Sequence, residues 1–228
     1  MVVGVIGVAA GAVAIPLAAV GAATSVASIA QGAGNQQRAA ENNNNSNSAP
    51  KEADKDDPRL AKFTLYAHCS EDAPLKEFVE GKQVVLRDHK LYLADPDMEK
   101  RKEGGHGFAG FFIQYPWNSK PMGLVSTIQP DPPELNWIYV DKDTLVVTYG
   151  GKTQSLPHIV GPWDWTENQE KMTFEGWEGF VAMEESEGIW VLCYDQDEDL
   201  LVGVKGDKRV QECTLTRKVL DPPKASES

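Results

Sequence analysis

Residues 135–149 read LNWIYVDKDTLVVTY. Two apolar runs, residues 135–140 and 144–149, flank the polar triplet Asp141-Lys142-Asp143. Short runs rich in Val, Ile, Thr, Tyr and Trp on either side of turn-forming residues are typical of a β-hairpin. The stretch therefore predicts two antiparallel strands joined by a tight turn.

The same pattern recurs along the chain. Residues 83–86 and 90–93 flank Arg87-Asp88-His89, and Tyr149-Gly150-Gly151-Lys152 predicts a further hairpin turn because glycine adopts positive φ readily. Residues 63–219 give about a dozen short strands and no convincing helix, which favours an all-β antiparallel domain. We expect a sandwich or barrel, with a β-trefoil as the alternative, although no threefold sequence repeat is evident.

Composition divides the chain into four parts. Residues 1–31 are apolar, residues 32–57 form a polar linker predicted to be disordered, residues 58–220 form the β domain, and residues 221–228 form a short disordered tail. The apolar segment contains no charged residue.

The apolar N-terminal segment has three interpretations. Its length exceeds the roughly 20 residues that cross a bilayer as a helix, and Gly7 and Gly11 form a GxxxG pair suited to helix–helix contact. A secretory signal peptide is the second interpretation, although no basic residue precedes the apolar stretch. The third is a helix of small residues that packs on another protein or forms an oligomer.

The formal net charge of −12 limits the partners of the chain. Phosphate backbones are bound by neutralising them with Lys and Arg, so we do not expect nucleic acid as a partner. Anionic headgroups would repel the chain, so membrane association through residues 2–30 would rest on apolar burial. Localisation is therefore predicted as membrane-associated, or secreted if the segment is a signal peptide.

Cysteine and histidine spacing predicts neither a metal site nor a cofactor. Cys69, Cys193 and Cys213 form no CxxC pair, and the four histidines form no HxH or HxxxH pair. Either Cys193 and Cys213 form a disulfide, or all three thiols are reduced. The acidic turn Asp195-Gln196-Asp197-Glu198-Asp199 begins like an EF-hand loop, but the residues that follow do not fit one.

The most distinctive stretch contains Trp163, Asp164, Trp165 and, after a short gap, Trp177. Alternation in a strand puts the first two tryptophans on one face and Asp164 on the other. The aromatic residues with Asp164 are a candidate platform for a sugar or another flat ligand. The alternative is that the tryptophans belong to the core, which aromatic residues commonly fill.

No catalytic motif is present, so catalytic residues are not assigned and the chain is predicted not to be an enzyme. The enzymatic alternative is a glycan-active hydrolase that uses Asp164 together with Glu175 or Glu178. Such a reaction needs two carboxylates at a defined separation, which the sequence does not give.

The chain resembles a group of uncharacterised proteins of filamentous ascomycete fungi. The resemblance implies a fungal origin and transfers no function. It covers the β region and is carried by Asp57-Pro58-Arg59-Leu60, Val84-Val85-Leu86-Arg87-Asp88, Leu135-Asn136-Trp137-Ile138-Tyr139-Val140-Asp141, Gly161-Pro162-Trp163-Asp164-Trp165-Thr166 and Glu175-Gly176-Trp177-Glu178-Gly179-Phe180.

These observations together predict a non-enzymatic ligand-binding or interaction protein that is tethered to a membrane. A carbohydrate or a protein is the expected ligand. A glycan-active hydrolase is one alternative, and a structural protein that oligomerises through its apolar N-terminal helix is the other.

Overall fold

A computed structural model describes residues 57–116, 119–129 and 132–221. The predicted N-terminal segment with Gly7 and Gly11, residues 32–56 of the linker and residues 222–228 of the tail lie outside the described residues. Predictions about those segments therefore stay predictions. Within the three described ranges, none of the helices combines the length and the apolar character needed to cross a membrane.

Strands make up most of the regular secondary structure of the described chain. Two four-residue helices, α1 (Lys76–Val79) and α2 (Lys152–Ser155), and two short 3-10 helices, Pro58–Leu60 and Met98–Lys100, accompany them. The strands are β1 (Phe63–His68), β2 (Gln83–Arg87), β3 (Lys90–Ala94), β4 (His106–Gly107), β5 (Gly110–Gln114), β6 (Met122–Thr127), β7 (Leu135–Val140), β8 (Val147–Gly150), β9 (Trp163–Trp165), β10 (Met172–Phe174), β11 (Phe180–Ser186), β12 (Ile189–Tyr194), β13 (Val210–Glu212) and β14 (Thr214–Val219).

Every strand pairing is antiparallel, which confirms the predicted all-β antiparallel class. The large sheet closes on itself because β2 pairs with both β1 and β3. A ring of seven strands results, in the order β1, β2, β3, β8, β7, β6 and β5.

The strands also fall into three similar units, each made of a strand, a hairpin and a strand. The three hairpins, β2–β3, β7–β8 and β11–β12, meet where β3 pairs with β8 and with β12, and we call them the cap. The six remaining unit strands, β1, β5, β6, β9, β10 and β14, form the base. This threefold arrangement agrees with the trefoil alternative.

Two of the predicted hairpin turns are confirmed, and local chemistry explains both. Asp88 and His89 have φ of 48° and 61°, which is the left-handed pair that a two-residue turn between twisted strands requires. In the second turn the Asp141 carboxylate accepts the amide hydrogens of Asp143 and Thr144, at 3.0 and 2.9 Å. Aspartate is favoured in turns because it bonds to the backbone in this way.

The third predicted hairpin turn is wrong. Strand β8 ends at Gly150, and α2 begins at Lys152 instead of a returning strand. The Gly151 amide donates to the side-chain oxygen of Gln154 at 2.7 Å, which satisfies a donor at the start of this helix. Gly150 and Gly151 allow several backbone conformations. The hydrogen bond from the Gly151 amide to Gln154 stabilises the helical one.

The cap hairpins are buried on both faces. Val84 and Leu86 pack into the main core, whereas Val85 between them packs into a second cluster with Tyr92, Val191 and others. Burial on both faces explains why the cap strands are continuous apolar runs in the sequence instead of alternating patterns.

The possible disulfide between Cys193 and Cys213 is not formed, and all three cysteines are free thiols. Strand β11 separates the two residues: Cys193 is opposite Val181, and the Cys213 amide donates to the Phe180 carbonyl at 3.0 Å. Burial raises the pKa of Cys193 to about 12, so this thiol is held in its protonated form.

Candidate functional site

Strands β9 and β10 position the predicted ligand residues. They pair in the register Trp163 with Phe174, Asp164 with Thr173 and Trp165 with Met172. The Trp163 side chain faces inward and is only 1% exposed. Its indole Nε1–H donates to the Ile138 carbonyl at 3.1 Å. Trp163 is therefore a core residue with its polar atom satisfied, as the core alternative stated, and a ligand has no access to it.

Trp165 is half-buried at the edge of the base, between two guanidinium groups. The Arg59 and Arg217 guanidinium carbons lie 4.8 and 4.3 Å from its ring centroid, and Phe112 makes an edge contact at 5.0 Å between centroids. Cation–π attraction of this kind stabilises a fold. We call Arg59, Phe112, Trp165 and Arg217 the base stack. It joins β5, β9 and β14 to the short 3-10 helix Pro58–Leu60 that precedes β1.

Asp164 is engaged by Arg59 of the base stack. Its carboxylate accepts a hydrogen bond from Arg59 Nη2 at 3.0 Å and another from the Trp165 amide at 2.8 Å. The side chain remains 48% exposed. The protein therefore orients the Asp164 carboxylate and leaves it accessible to solvent.

A tight turn presents Trp177. Glu175 and Gly176 have φ of 50° and 93°, and the backbones of Phe174 and Trp177 bond to each other at 3.0 and 3.2 Å. Gly179 lies under the indole, where a Cβ atom would be 2.3 Å from the ring. No real Cβ comes that close, so glycine at 179 is required for Trp177 to lie flat on the backbone.

Trp177 forms part of a wide groove, which we call the tryptophan groove. Its volume is about 850 Å³. The lining residues combine one open aromatic ring with hydroxyl, amide and charged groups: Asp164, Trp165, Thr166, Glu167, Asn168, Lys171, Thr173, Gly176, Trp177 and Glu178.

A second groove of about 540 Å³ shares Lys171, Trp177 and Glu178 with the first. The Lys171 ammonium and the Glu178 carboxylate form an ion pair at 3.2 Å. The three shared residues thus make a wall between two open surfaces.

Sequence reasoning missed the polar residues of the tryptophan groove. The Thr166 hydroxyl donates to Asn168 Oδ1 at 2.6 Å, and Asn168 Nδ2 donates to Glu170 at 2.8 Å. This Thr-Glu-Asn-Gln-Glu segment is the turn between β9 and β10, and turn residues next to a tryptophan strand were the available signal. The contacts of Arg59 and Arg217 with Trp165 were not predictable from the sequence, because both arginines are distant from Trp165 along the chain.

The carboxylates proposed for a hydrolase do not form an unengaged pair. Asp164 is bound by Arg59 and Glu178 by Lys171, and Glu175 does not line the tryptophan groove. Glycoside hydrolysis needs two carboxylates that flank one bond and exchange protons with it.

Asp195, the first residue of the acidic turn, has a structural role. It is 4% exposed, and its carboxylate accepts the amide hydrogens of Asp199, Leu200 and Leu201 at 3.2, 2.8 and 3.5 Å. This carboxylate therefore folds the loop after β12. In the described part of the chain, no group of three or more His, Cys, Asp or Glu side chains is arranged to hold a metal ion.

Comparison with known proteins identifies the family. The family model described as the fungal beta-trefoil domain matches residues 28–221, which is most of the chain. The chain belongs to this family. Neither a curated protein nor a solved structure gives a match. The match agrees with the three-unit arrangement of the strands, and it assigns no specific activity.

Proposed function

We propose that this member of the fungal beta-trefoil family is a non-enzymatic binding protein whose ligand is a carbohydrate held in the tryptophan groove. The supporting observation is the half-buried indole of Trp177, which lies in an open groove among hydroxyl, amide and charged side chains. Binding sites typically combine apolar or aromatic walls with a few placed polar groups. A sugar ring has an apolar face, which can stack on the indole of Trp177, and a rim of hydroxyls, which can bond to the polar side chains of the groove.

Trp177 carries the proposal because the other two tryptophans are engaged by the protein. Trp163 is enclosed in the core, and Trp165 is stacked by Arg59 and Arg217. Trp177 has Tyr194 beside it, with ring centroids 5.7 Å apart, and Gly179 beneath it. These contacts fix the ring in place, so little rotamer entropy is lost when a ligand stacks on it.

The rest of the groove supplies hydrogen-bonding groups for hydroxyls. Asp164 and Asn168 offer oriented acceptors and a donor, and the Lys171–Glu178 pair offers a charge of each sign next to the ring. The hydrolase alternative with Asp164 and Glu175 or Glu178 is weaker, because the ion pairs engage both Asp164 and Glu178.

The test is a glycan array probed with the full-length protein, followed by titration of each bound glycan. Trp177→Ala should weaken binding at least tenfold, because the stacked ring buries apolar area worth about 1.5–3 kcal/mol. Trp137→Ala is the matched control, since Trp137 is also half-buried but packs on Tyr115, with centroids 4.7 Å apart, outside the groove.

Both variants should keep the far-UV circular dichroism and the cooperative thermal unfolding of a folded domain. Binding by Trp177→Ala that equals the wild type would refute the site. If no glycan on the array binds, the carbohydrate proposal fails.

A second part of the proposal concerns the N-terminal segment. Residues 2–30 contain no charged side chain, and this length suffices to cross a bilayer as a helix. We propose that they hold the binding domain near a membrane. Full-length protein in a carbonate-resistant membrane fraction of its native host is the expected result. Protein that lacks residues 1–31 and accumulates in the medium would instead mean that the segment is a signal peptide.

A further inference from the structure

A pocket of about 360 Å³ lies apart from the tryptophan groove, at the edge of the cap. One wall is apolar: Phe78 stacks on Trp190, with centroids 5.8 Å apart and planes 25° apart, and Leu93 and Ile189 lie nearby. The other wall is basic and contains Lys82, Arg87, Lys100, Arg101 and Lys102. We call this the cationic pocket.

The charge of this pocket is opposite to that of the chain. The sequence has 34 acidic and 22 basic residues, yet the pocket is lined by five basic residues and three acidic ones, which are Glu77, Asp95 and Glu103. Random sampling of this surface would favour an excess of acids. Three of the five basic residues are already paired: Lys82 with Asp95, Arg87 with Asp88 and Lys100 with Asp97. The positive charge that an anion could meet therefore comes from Arg101 and Lys102.

Arg101 keeps its charge uncompensated. Its guanidinium donates to the carbonyls of Asp95 and Gly105 at 2.8 and 2.9 Å and to Gln83 Oε1 at 2.7 Å, all of them neutral acceptors. Lys102 is exposed, and among the described side chains it makes no ion pair within 4 Å. A Cβ atom at Gly188 would lie 3.3 Å from the Lys102 ammonium. The ammonium therefore reaches across to the β11–β12 turn, which also lines the pocket.

The apolar wall contains a hydrogen-bond donor, the Trp190 indole N–H, that has no acceptor. Trp190 is 2% exposed, and within the described residues its indole Nε1–H has no hydrogen-bond partner. An orphaned buried donor costs free energy, and native structures rarely keep one without a reason. The pocket thus combines cationic groups, an unpaired N–H donor and an aromatic wall.

We propose that the cationic pocket binds the phosphate or sulfate group of a small organic molecule. An oxyanion carries only acceptors, which is what the Lys102 ammonium and the Trp190 N–H lack. The organic part of the molecule would lie against Phe78 and Trp190. This site is independent of the tryptophan groove, and either proposal can hold without the other.

The test uses the indole N–H signals of the ¹⁵N-labelled full-length protein. The chain has six tryptophans, and Trp190→Phe identifies the signal of Trp190 by its disappearance. Sodium phosphate, sodium sulfate and sodium chloride are then titrated at equal ionic strength. We expect a saturable shift of the Trp190 signal with phosphate or sulfate, and none with chloride.

The two oxyanions distinguish the ligand. A shift with phosphate alone would assign a phosphorylated ligand, and a shift with both would assign oxyanions in general. An equal shift with chloride, or no saturable shift with either oxyanion, would overturn the proposal.

Lys102→Glu provides the matched variant, because Lys102 is exposed and its replacement leaves the fold intact. It should weaken the affinity for the oxyanion at least tenfold, since a charge-assisted bond becomes a repulsion. Lys142→Glu makes the same charge change at an exposed lysine that does not line the pocket, and it should keep the wild-type affinity. If both variants weakened the affinity for the oxyanion equally, the effect would come from the net charge of the protein, and the proposed site would be refuted.

Discussion

Two tryptophans in different parts of the molecule are each stacked by arginine, and the two arrangements differ in charge compensation. In the base stack, Arg59 and Arg217 lie over Trp165. In the cap, Arg209 lies over both Phe78 and Trp190, at 4.9 and 5.4 Å from the ring centroids. We call Phe78, Glu184, Trp190 and Arg209 the cap stack.

The two charges of the cap stack are paired with each other. Arg209 Nε and Nη2 donate to the two carboxylate oxygens of Glu184 at 2.6 and 2.7 Å, and the Gly188 amide donates to the same carboxylate at 2.9 Å. These bonds lower the pKa of Glu184 to about 2. A bidentate arginine–carboxylate pair is the geometry in which an ion pair contributes most.

The base stack is under-compensated. Arg217 donates to the Gln169 carbonyl at 3.1 Å but meets no carboxylate within 4 Å among the described residues, and its buried Nη1 has no partner there. Burial lowers the pKa of Arg217, which means that the fold disfavours its charge. An arginine therefore stacks on a tryptophan in both places, but the charge of Arg209 in the cap stabilises the fold, whereas the charge of Arg217 in the base destabilises it.

The largest expected effect is a difference in stability loss between the alanine variants of Trp190 and Trp165. Trp190→Ala should reduce the free energy of unfolding by about 3–5 kcal/mol, because it removes a fully buried ring and leaves a cavity. Trp165→Ala should cost about 1–2 kcal/mol, because that ring is half-buried. Chemical denaturation of the full-length variants measures both. Equal losses would show that the two stacks are equivalent.

Replacing the arginines tests the charge difference directly. Arg209→Met should reduce the free energy of unfolding, because it leaves the Glu184 carboxylate, 13% exposed, without its partner. Arg217→Met should change stability by less than about 0.5 kcal/mol or increase it, because methionine keeps the packing and removes a poorly paired charge. A loss at Arg217 as large as that at Arg209 would contradict the comparison.

The smallest effect is a dependence of stability on pH. The pKa of Glu184 is about 2 when folded, below the ordinary value of 4.5. Its contribution should therefore be complete above about pH 4.5 and decline as the pH falls toward 2. Other carboxylates titrate in the same range, such as Glu80, whose pKa is lowered mainly by the Cys69 amide. The difference between wild type and Glu184→Gln isolates the effect, and a constant difference across this range would refute it.

Much of the fold followed from local patterns. The turns at Asp88 and Asp141 were predictable because the residues that form them also supply the required backbone geometry or hydrogen bonds. The threefold arrangement could not be predicted from a sequence repeat. The three hairpins are similar in burial and strand pairing, but their sequences have little in common. Gly150-Gly151 failed as a turn because Gln154, three residues later, stabilises a helix start instead.

The sequence by itself determined that the chain is an acidic, all-β protein with short strands, since strand propensity, turn chemistry and charge are properties of neighbouring residues. Tertiary structure alone decided the roles of the tryptophans. Trp163 is enclosed because Phe174 and Phe180 pack on its ring. Trp165 is covered because Arg59 and Arg217, from opposite ends of the domain's sequence, lie over its ring. A side chain's exposure depends on which distant elements pack over it, and no local pattern records those elements.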